Sequence, residues 1–324
     1  MPHLSSAVSA EILSGAATPA QALQLLQLPD EELFAGAERL RRAAFGTRIS
    51  LCAIINARSG NCGMDCRFCA QSRHNDTPID RFPLLDEGLL RQRILDLARW
   101  PVGHIGIVTS GGALQAEELA SVLRVLAALP EAVRGRVCTS FGRLSPDALR
   151  SLARGGVRRF HHNLESSRAF YPRICSTQQW EQRRDTVRHV REAGLSACTG
   201  GLFGLGESWE DRIDLAFSLR ELGVDSVPIN FLHPHPQTPL ADRPLLAANE
   251  ALRIIAVFRH ILPTTTLRVC GGRPETLGDR QPDIFRAGAN ALMTGDYLTT
   301  HGCAVERDCA MIAAAGLEVT APCA

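Results

Sequence analysis

The chain has 324 residues, of which 45% are hydrophobic, and a formal net charge of +1. A near-neutral chain offers no basic stripe for nucleic acid, and it contains neither an apolar run of about 18 residues nor the charged-then-apolar start of a signal peptide. Disulfides persist mainly in secreted proteins, so metal ligation explains its 11 cysteines better. We therefore expect a cytoplasmic protein that binds neither nucleic acid nor membrane.

From residue 49 onward, short β-branched runs alternate with amphipathic segments, which is typical of βα units and a parallel sheet. Eight strands are predicted, at Ile49–Ile55, Ile105–Ser110, Arg136–Phe141, Arg159–Glu165, Ala197–Phe203, Ser226–Phe231, Leu267–Gly271 and Ala289–Gly295. Helices are predicted at Ala116–Leu129, Gln179–Ala193, Trp209–Leu222 and Ala248–Ile261. Eight such units predict a (β/α)8 TIM-type barrel over residues 46–317, with an N-terminal helical extension (1–45) and a C-terminal tail (318–324).

A C-x3-C-x2-C run, Cys62, Cys66 and Cys69, follows the first predicted strand. Iron–sulfur clusters normally take four protein thiolates, so three indicate a 4Fe-4S cluster whose fourth iron binds a non-protein ligand. A structural zinc site and a redox pair are the alternatives. Zinc sites favour a second C-x2-C or histidine pair, and none follows at the usual distance.

Phe68 stands immediately before the last of these cysteines. The resulting C-x3-C-x-aromatic-C pattern resembles the signature of the radical S-adenosylmethionine (SAM) superfamily. The resemblance implies that the amino and carboxylate groups of SAM chelate the open iron. It also implies that an electron from the cluster cleaves SAM to methionine and a 5'-deoxyadenosyl radical.

Polar residues recur at strand spacing inside the predicted barrel. His161, Asn163 and Glu165 share one strand face, as do Arg268 and Cys270. Charged and amide groups on an inward face are costly unless that face meets a ligand or water. We interpret these positions as ligand contacts, with a rim network of hydrogen bonds as the alternative.

Four further cysteines fall on odd-numbered predicted strands: Cys52, Cys138, Cys198 and Cys270. Side chains from alternate strands of a barrel meet in a common layer, so these thiols are predicted to converge near the axis. A buried cysteine is often only a small hydrophobe. Because four occur on alternate strands, we favour a second iron–sulfur cluster.

A glycine-rich segment containing Gly200, Gly201, Gly204 and Gly206 ends the fifth predicted strand, and Glu207 follows it. One interpretation is a tight βα turn with a carboxylate at the start of a helix. The other is close backbone approach to the adenine and ribose of SAM.

Six segments together resemble the biotin synthase family over residues 45 to 317. They are Ile55–Gln71, His161–Ser166, Cys198–Glu207, Ser226–Phe231, Thr238–Asp242 and Leu267–Arg273. The resemblance implies conversion of dethiobiotin to biotin, with two SAM molecules cleaved and sulfur supplied by an auxiliary cluster. Another radical SAM barrel enzyme, such as a hydrogenase-cofactor maturase, and a non-catalytic iron–sulfur protein are the alternatives.

The same resemblance implies roles for individual residues. Cys62, Cys66 and Cys69 match the ligands of the SAM cluster. Asn163 and Asn230 match contacts to the ureido ring of dethiobiotin, and Cys138, Cys198 and Arg268 match ligands of the auxiliary cluster. The predicted SAM-binding residues are Ser110, Gly111, Glu165, Arg183, Gly204 and Glu207.

One position departs from the best-known form of the family, which has a further cysteine where this chain has Val108. Cys52 and Cys270 stand where that form carries serines, and Cys175 follows the His-Asn motif. The auxiliary site is therefore predicted to use different thiols and to hold a 2Fe-2S or a 4Fe-4S cluster. Arg268 either ligates this cluster or donates a hydrogen bond to its sulfide, because a guanidinium stays protonated.

The remaining cysteines, Cys303, Cys309 and Cys323, fit no metal spacing, and we interpret them as ordinary thiols with a possible accessory role. His233 and His235 lie in a Pro-rich loop that could line the mouth of the site. The expected partners are an electron donor such as flavodoxin or ferredoxin and a second copy of the chain in a homodimer.

Overall fold

The computed structural model describes residues 18–320 of the chain. Its centre is a closed barrel of parallel strands, in which the last strand of the wall, β9, pairs back with the first, β1. Helices lie between most successive strands. The predicted (β/α)8 TIM-type barrel is therefore confirmed.

The strands and helices of the described residues have the following bounds. The strands are β1 Arg48–Arg58, β2 His104–Thr109, β3 Val137–Ser140, β4 Arg159–His161, β5 Ser196–Cys198, β6 Gly201–Phe203, β7 Ser226–Phe231, β8 Thr266–Val269, β9 Ala291–Met293 and β10 Glu318–Val319. The α-helices are Pro19–Leu23, Asp30–Phe45, Glu87–Ala98, Ala116–Ala127, Glu131–Arg134, Pro146–Arg154, Trp180–Glu192, Trp209–Glu221, Ala248–Ile261, Arg273–Leu277, Asp283–Arg286 and Val305–Ala314.

The fifth predicted strand is divided into β5 and β6. Both halves pair with β7, so together they occupy one position in the barrel wall. The break falls at Gly200, where a Cβ atom would lie 1.9 Å from the carbonyl oxygen of Pro228 on β7. Glycine is the residue that permits so close a backbone approach. Counted this way, eight strand positions close the barrel within residues 18–320.

The fourth predicted strand was expected to reach Glu165, but β4 ends at His161. Glu165 has a φ of 71°, in the left-handed region that regular strands do not use. The backbone N–H groups of Leu164 and Glu165 both donate to the carbonyl oxygen of Gly200, at 3.0 and 3.2 Å. The segment therefore stays beside the barrel wall as a loop, although the burial of residues 161–165 still alternates as it would in a strand.

The helix Asp30–Phe45 lies at the amino ends of two barrel strands. Its buried Arg41 donates to the carbonyl oxygens of Phe285, which precedes β9, and Gly46, which precedes β1, at 3.1 and 3.0 Å. Residues 1–17 of the predicted extension lie outside the described residues. In the predicted tail, β10 pairs with the start of β1, and residues 321–324 again lie outside the described part.

A membrane-spanning helix is not found among residues 18–320, since none of their helices is both long and apolar enough.

Replacing Gly200 with alanine tests the close approach between β5, β6 and β7. The added Cβ meets backbone, which cannot move aside, so we expect the free energy of unfolding to fall by about 3 kcal/mol or more. Gly135→Ala is the control, because its φ is −62° and its Cβ would lie 3.5 Å from the carbonyl oxygen of Glu131. Urea unfolding followed by circular dichroism measures both variants. Equal stability of the two would contradict this account.

Candidate active site

A cavity of about 470 Å³ opens at the carboxyl end of the barrel. The loops after the strands form its mouth, including Gly111 after β2 and His233 after β7. Its floor includes inward side chains of the strands, such as Cys52 of β1 and Cys138 of β3. In barrels of this kind the active site is found at this end. Both groups of cysteines predicted from the sequence line this one cavity.

The three-cysteine loop is held by hydrogen bonds to its own backbone. The N–H of Cys62 donates to the carbonyl oxygen of Gln71 at 3.0 Å, and the N–H of Cys69 donates to that of Cys66 at 3.0 Å. The side-chain amide of Asn75 donates to the carbonyl oxygens of Cys66 and Cys69, at 3.3 and 2.8 Å. These bonds fix the loop while its thiols line the cavity.

The chemistry of these thiols fits a cluster better than a single ion. Among residues 18–320, no three His, Cys, Asp or Glu side chains converge on one point that could hold a metal ion. Thiolates of an iron–sulfur cluster bind separate irons and need not converge in this way, whereas the ligands of a structural zinc share one ion. This finding is therefore compatible with an iron–sulfur cluster on the loop.

Cys175 lies beside this loop, which corrects the prediction that it helps to rebuild the auxiliary site. Its thiol is hydrogen-bonded to the thiol of Cys66 and lies 3.3 Å from Oδ1 of Asp65. Cys66 donates this hydrogen bond to the sulfur of Cys175, which together with burial raises the pKa of Cys66 and lowers that of Cys175 to about 6. The cause of this placement is a bridge between two distant segments, in which the N–H of Arg67 donates to the carbonyl oxygen of Ile174 at 2.9 Å.

Asp65 fastens the same two segments together. Its carboxylate accepts bonds from the backbone N–H groups of Ser176 and Thr177, at 2.9 and 3.1 Å, and from both of their hydroxyls. Burial would raise the pKa of Asp65, but these hydrogen bonds hold it well below its usual range. The carboxylate is therefore charged and turned toward the protein.

The four inner cysteines meet in the lower part of the cavity, as their strand positions predict. Cys52, Cys138, Cys198 and Cys270 all line it, and they interact electrostatically with one another. Burial raises the pKa of Cys138 to about 12 and that of Cys270 well above its usual value. A buried thiol becomes a thiolate only when a positive charge or a metal lies close enough to stabilise its negative charge.

Positive charge is present next to these thiols. Arg268 is 3% exposed and donates to the carbonyl oxygens of Ser50 and Leu292, at 3.2 and 2.9 Å, which aims its guanidinium across the barrel. Arg159 of β4 lines the same cavity. The sequence analysis identified Arg268 but missed Arg159. Because Arg159 lies two residues before His161, it shares the strand face of His161, and strand periodicity could have identified it.

Two histidines also line the cavity: His161, which the strand pattern predicted as a ligand contact, and His104, to which the sequence assigned no role. Burial would raise the pKa of Cys198, but a hydrogen bond with His161 and nearby positive charges lower it to about 7. His104 stands opposite Cys52 in the β1–β2 pairing, and burial lowers its pKa to about 2. His104 is therefore neutral. His161, in contrast, is hydrogen-bonded to the thiol of Cys198.

Asn163 and Asn230 present their side-chain amides to the cavity. Oδ1 of Asn163 accepts from the N–H of Gly200 at 3.0 Å, and Oδ1 of Asn230 accepts from that of Gly271 at 3.1 Å. Nδ2 of Asn230 also donates to the carbonyl oxygen of Gly201 at 3.1 Å. Each amide is thus oriented by glycine-rich backbone, and it keeps donor and acceptor capacity for a ligand.

Glu165 and Arg183 form a shielded ion pair, with 3.6 Å between Oε1 and Nη1. Arg183 also donates to the carbonyl oxygen of Asn163 at 2.8 Å and to the hydroxyl of Tyr171 at 2.8 Å. Burial would lower the pKa of Arg183, but the charge of Glu165 raises it. Both side chains line the cavity, as Ser110 and Gly111 do.

Gly204 and Glu207 are not at the cavity, which corrects their prediction as SAM-binding residues. The carboxylate of Glu207 accepts from the N–H groups of Gly204 and Leu205, at 3.0 and 2.7 Å, and pairs with Arg212 at 2.8 Å. These three contacts hold the carboxylate against its own turn and the helix that follows, which supports the structural interpretation of this motif. Leu202 of the same segment does line the cavity.

The remaining candidates lie elsewhere. Cys303 is buried beside Gln281, with 3.6 Å from its Sγ to Oε1, and Cys309 lies on the helix Val305–Ala314. Neither lines the cavity, and Cys323 lies outside the described residues. His233 lines the cavity and contacts Glu275 at 3.4 Å, whereas His235 lines a separate groove at the barrel mouth.

A parallel barrel with a three-cysteine loop after its first strand defines a radical SAM enzyme. The model of the Radical SAM superfamily matches residues 57–219, half of the chain, and that of the Biotin and Thiamin Synthesis associated domain matches residues 228–318. The second match covers most of β7 and all of β8, together with Asn230, Arg268 and Cys270.

Curated relatives narrow this assignment. A biotin synthase of Desulfovibrio desulfuricans is 65% identical over 94% of this chain and 96% of its own length. A biotin synthase of Nitratidesulfovibrio vulgaris is 45% identical over 93% of this chain and 86% of its own length. The chain therefore belongs to the biotin synthase family, which confirms the resemblance found in the sequence.

Solved structures agree with the fold. Methylornithine synthase superposes with a TM-score of 0.82 at 18% identity, over 97% of both chains. The hydrogenase maturase HydG superposes with a TM-score of 0.81 at 15% identity, over 97% of this chain and 76% of its own. Identities this low show the fold alone, so they do not favour the maturase alternative.

Family membership carries with it the class of enzyme and its cofactors. The chain is a sulfurtransferase of the radical SAM class. Enzymes of this family use a 4Fe-4S cluster, SAM and an auxiliary iron–sulfur cluster. The two separate groups of thiols in one cavity fit two clusters.

Proposed function

We propose that this chain converts dethiobiotin to biotin by inserting sulfur between two unactivated carbons. The observation that carries the proposal is that one cavity contains both groups of thiols and the two amides of Asn163 and Asn230. A site that must generate a radical and deliver sulfur to the same molecule needs both functions within reach of one bound substrate. The barrel interior also excludes water from the reacting carbons.

The upper group of residues is assigned to SAM and its cluster. Cys62, Cys66 and Cys69 would hold the 4Fe-4S cluster, and the ion pair of Glu165 and Arg183 would bind the polar groups of SAM. Ser110 and Gly111 border the same space. When bound, cluster and cofactor supply a carbon radical that abstracts hydrogen. Arg183 also fixes the position of Asn163, because it donates to the carbonyl oxygen of that residue.

The two asparagines are assigned to the ureido ring of dethiobiotin. A ureido group has N–H donors and a carbonyl acceptor, and a carboxamide can satisfy both kinds of group. Because glycine N–H groups orient both amides before substrate arrives, little conformational freedom is lost on binding. This holds the ring in one orientation relative to the thiols.

The lower group is assigned to the auxiliary cluster that supplies sulfur. Cys52, Cys138, Cys198 and Cys270 provide four thiols, so the cysteine missing at Val108 does not leave the site short of ligands. Arg268 either joins the ligand set or donates a hydrogen bond to a sulfide. Both roles require the guanidinium at the position where the carbonyl oxygens of Ser50 and Leu292 hold it.

We further infer the setting in which the enzyme works. Oxygen-labile clusters and free thiols favour the reducing cytoplasm. An external one-electron donor such as flavodoxin or ferredoxin is needed to reduce the SAM cluster, and we expect the chain to form a homodimer. Another radical SAM reaction, or a non-catalytic iron–sulfur protein, would not explain the pair of oriented asparagine amides.

Growth on dethiobiotin tests this function. We expect anaerobic expression of the chain to let a biotin auxotroph without its own biotin synthase grow on dethiobiotin, and Asn230→Ala to abolish that growth by removing a ureido contact. Asn249→Ala is the matched control, since its side chain does not line the cavity and is hydrogen-bonded to Asp30 and Arg280. Iron content of the purified variants checks that they fold. Lack of growth with the unaltered, iron-loaded chain would contradict the proposal.

The thiol of Cys175 should tune the SAM cluster. Cys66 loses its proton when it ligates iron, so the thiol of Cys175 then becomes the donor between the two sulfurs. A hydrogen bond donated to a ligand sulfur stabilises the reduced, more negative cluster and so raises its reduction potential. We therefore expect Cys175→Ala to make the midpoint potential more negative, measured by a redox titration followed by electron paramagnetic resonance. Cys309→Ala, which removes a thiol remote from the cavity, is the control. An unchanged potential in Cys175→Ala would show that its thiol does not act on the cluster.

A further inference from the structure

The loop that carries Cys62, Cys66 and Cys69 has an outer surface as well as an inner one. Its thiols line the cavity, whereas Arg67, which lies between Cys66 and Cys69 in the sequence, is exposed to solvent. The cluster assigned to this loop is therefore separated from solvent by little protein. An electron that comes from another protein has its shortest route here.

Three exposed arginines surround this outer surface: Arg67, Arg73 and Arg173. Arg67 directly follows Cys66, and its Nη1 donates to the carbonyl oxygen of Arg173 at 3.4 Å. The N–H of Arg73 donates to the carbonyl oxygen of Cys62 at 2.9 Å. Hydrogen bonds therefore link all three positions to the cluster loop, and we call this group the arginine surface.

The charges of the arginine surface are not used inside the molecule. Within residues 18–320, none of the three forms an ion pair with a carboxylate, whereas the nearby Arg168 pairs with Glu181 at 2.5 Å. Arg173 instead lies over the ring of Phe170, 5.6 Å from its centroid. Free guanidinium groups on a protein that has almost no net charge form a local positive field.

The acidic residues of the loop do not cancel this field. The carboxylate of Asp65 is turned toward Ser176 and Thr177, which use its acceptor capacity. Asp76 is the exposed carboxylate of residues 61–76, against the exposed Arg67 and Arg73 of the same segment. With Arg173 added, positive charge is in excess at the point where the cluster loop meets solvent.

We propose that the arginine surface docks an acidic electron-carrier protein that reduces the cluster on Cys62, Cys66 and Cys69. This rests on the proposed function, which requires one-electron reduction of that cluster. One electron leaves the reduced flavin or iron–sulfur cluster of the carrier and enters the cluster of this enzyme, and no atom is transferred. Complementary charge accelerates such encounters and aligns the two redox centres.

The test compares charge reversal on this surface with charge reversal elsewhere. The variants are Arg67→Glu and Arg173→Glu, and the matched control is Arg39→Glu. Arg39 is also exposed, but it lies on the helix Asp30–Phe45 at the opposite, amino end of the barrel. Iron content and circular dichroism establish that each variant is folded and loaded with its clusters.

The measurement is the anaerobic rate of cluster reduction by photoreduced flavodoxin, followed by absorbance in a stopped-flow instrument. At low salt, we expect Arg67→Glu and Arg173→Glu each to lower the second-order rate constant about 10-fold, and Arg39→Glu to leave it unchanged. In about 0.5 M salt the difference should disappear, because the charges are screened. Reduction by dithionite, a small molecule, should be the same in all proteins.

Two results would overturn the proposal. One is an equal flavodoxin rate in the surface variants and in Arg39→Glu, and the other is a loss that persists in high salt. A failure of the proposed function would look different: the unaltered enzyme would be reduced by flavodoxin in a salt-dependent manner but would not convert dethiobiotin. Because cluster reduction is measured without turnover, the two outcomes are separate.

Discussion

The structure depends on how four thiols can be buried at the centre of a barrel. Burial raises the pKa of Cys138 and Cys270, so the charged form of each is disfavoured unless positive charge lies nearby. Arg159 and Arg268 line the same cavity. In the proposed site a cluster of irons would supply the rest of the charge, which would make this part of the core a binding site and not only a hydrophobic centre.

The site of Cys62, Cys66 and Cys69 is positioned differently from the four inner cysteines, because its residues lie on a loop and not on barrel strands. The loop becomes rigid because Asn75 holds its carbonyl oxygens and Asp65 fastens it to Ser176 and Thr177. The same bridge brings Cys175 to Cys66. The loop thus has an inner side that lines the cavity and an exposed outer side, bearing Arg67, which we propose as the entry point for the electron.

Much of this arrangement could be predicted from the sequence. The span of β7 and the convergence of the four inner cysteines follow from β-strand periodicity, and the three-cysteine spacing identified the superfamily. Contacts between distant segments could not be predicted. The left-handed Glu165 ends the regularity of β4, and the carboxylate of Glu207 is used inside its own turn. Cys175 reaches Cys66 through a bond that joins residues 67 and 174.

The most direct test of the two-site account is to remove the upper site and look for the lower one. The protein carrying Cys62→Ala, Cys66→Ala and Cys69→Ala would be reconstituted anaerobically and examined by Mössbauer spectroscopy, with iron and sulfide counts beside the unaltered chain. The account predicts a residual iron–sulfur cluster that disappears when Cys138 and Cys198 are also replaced by alanine. No residual cluster in the triple variant would contradict it.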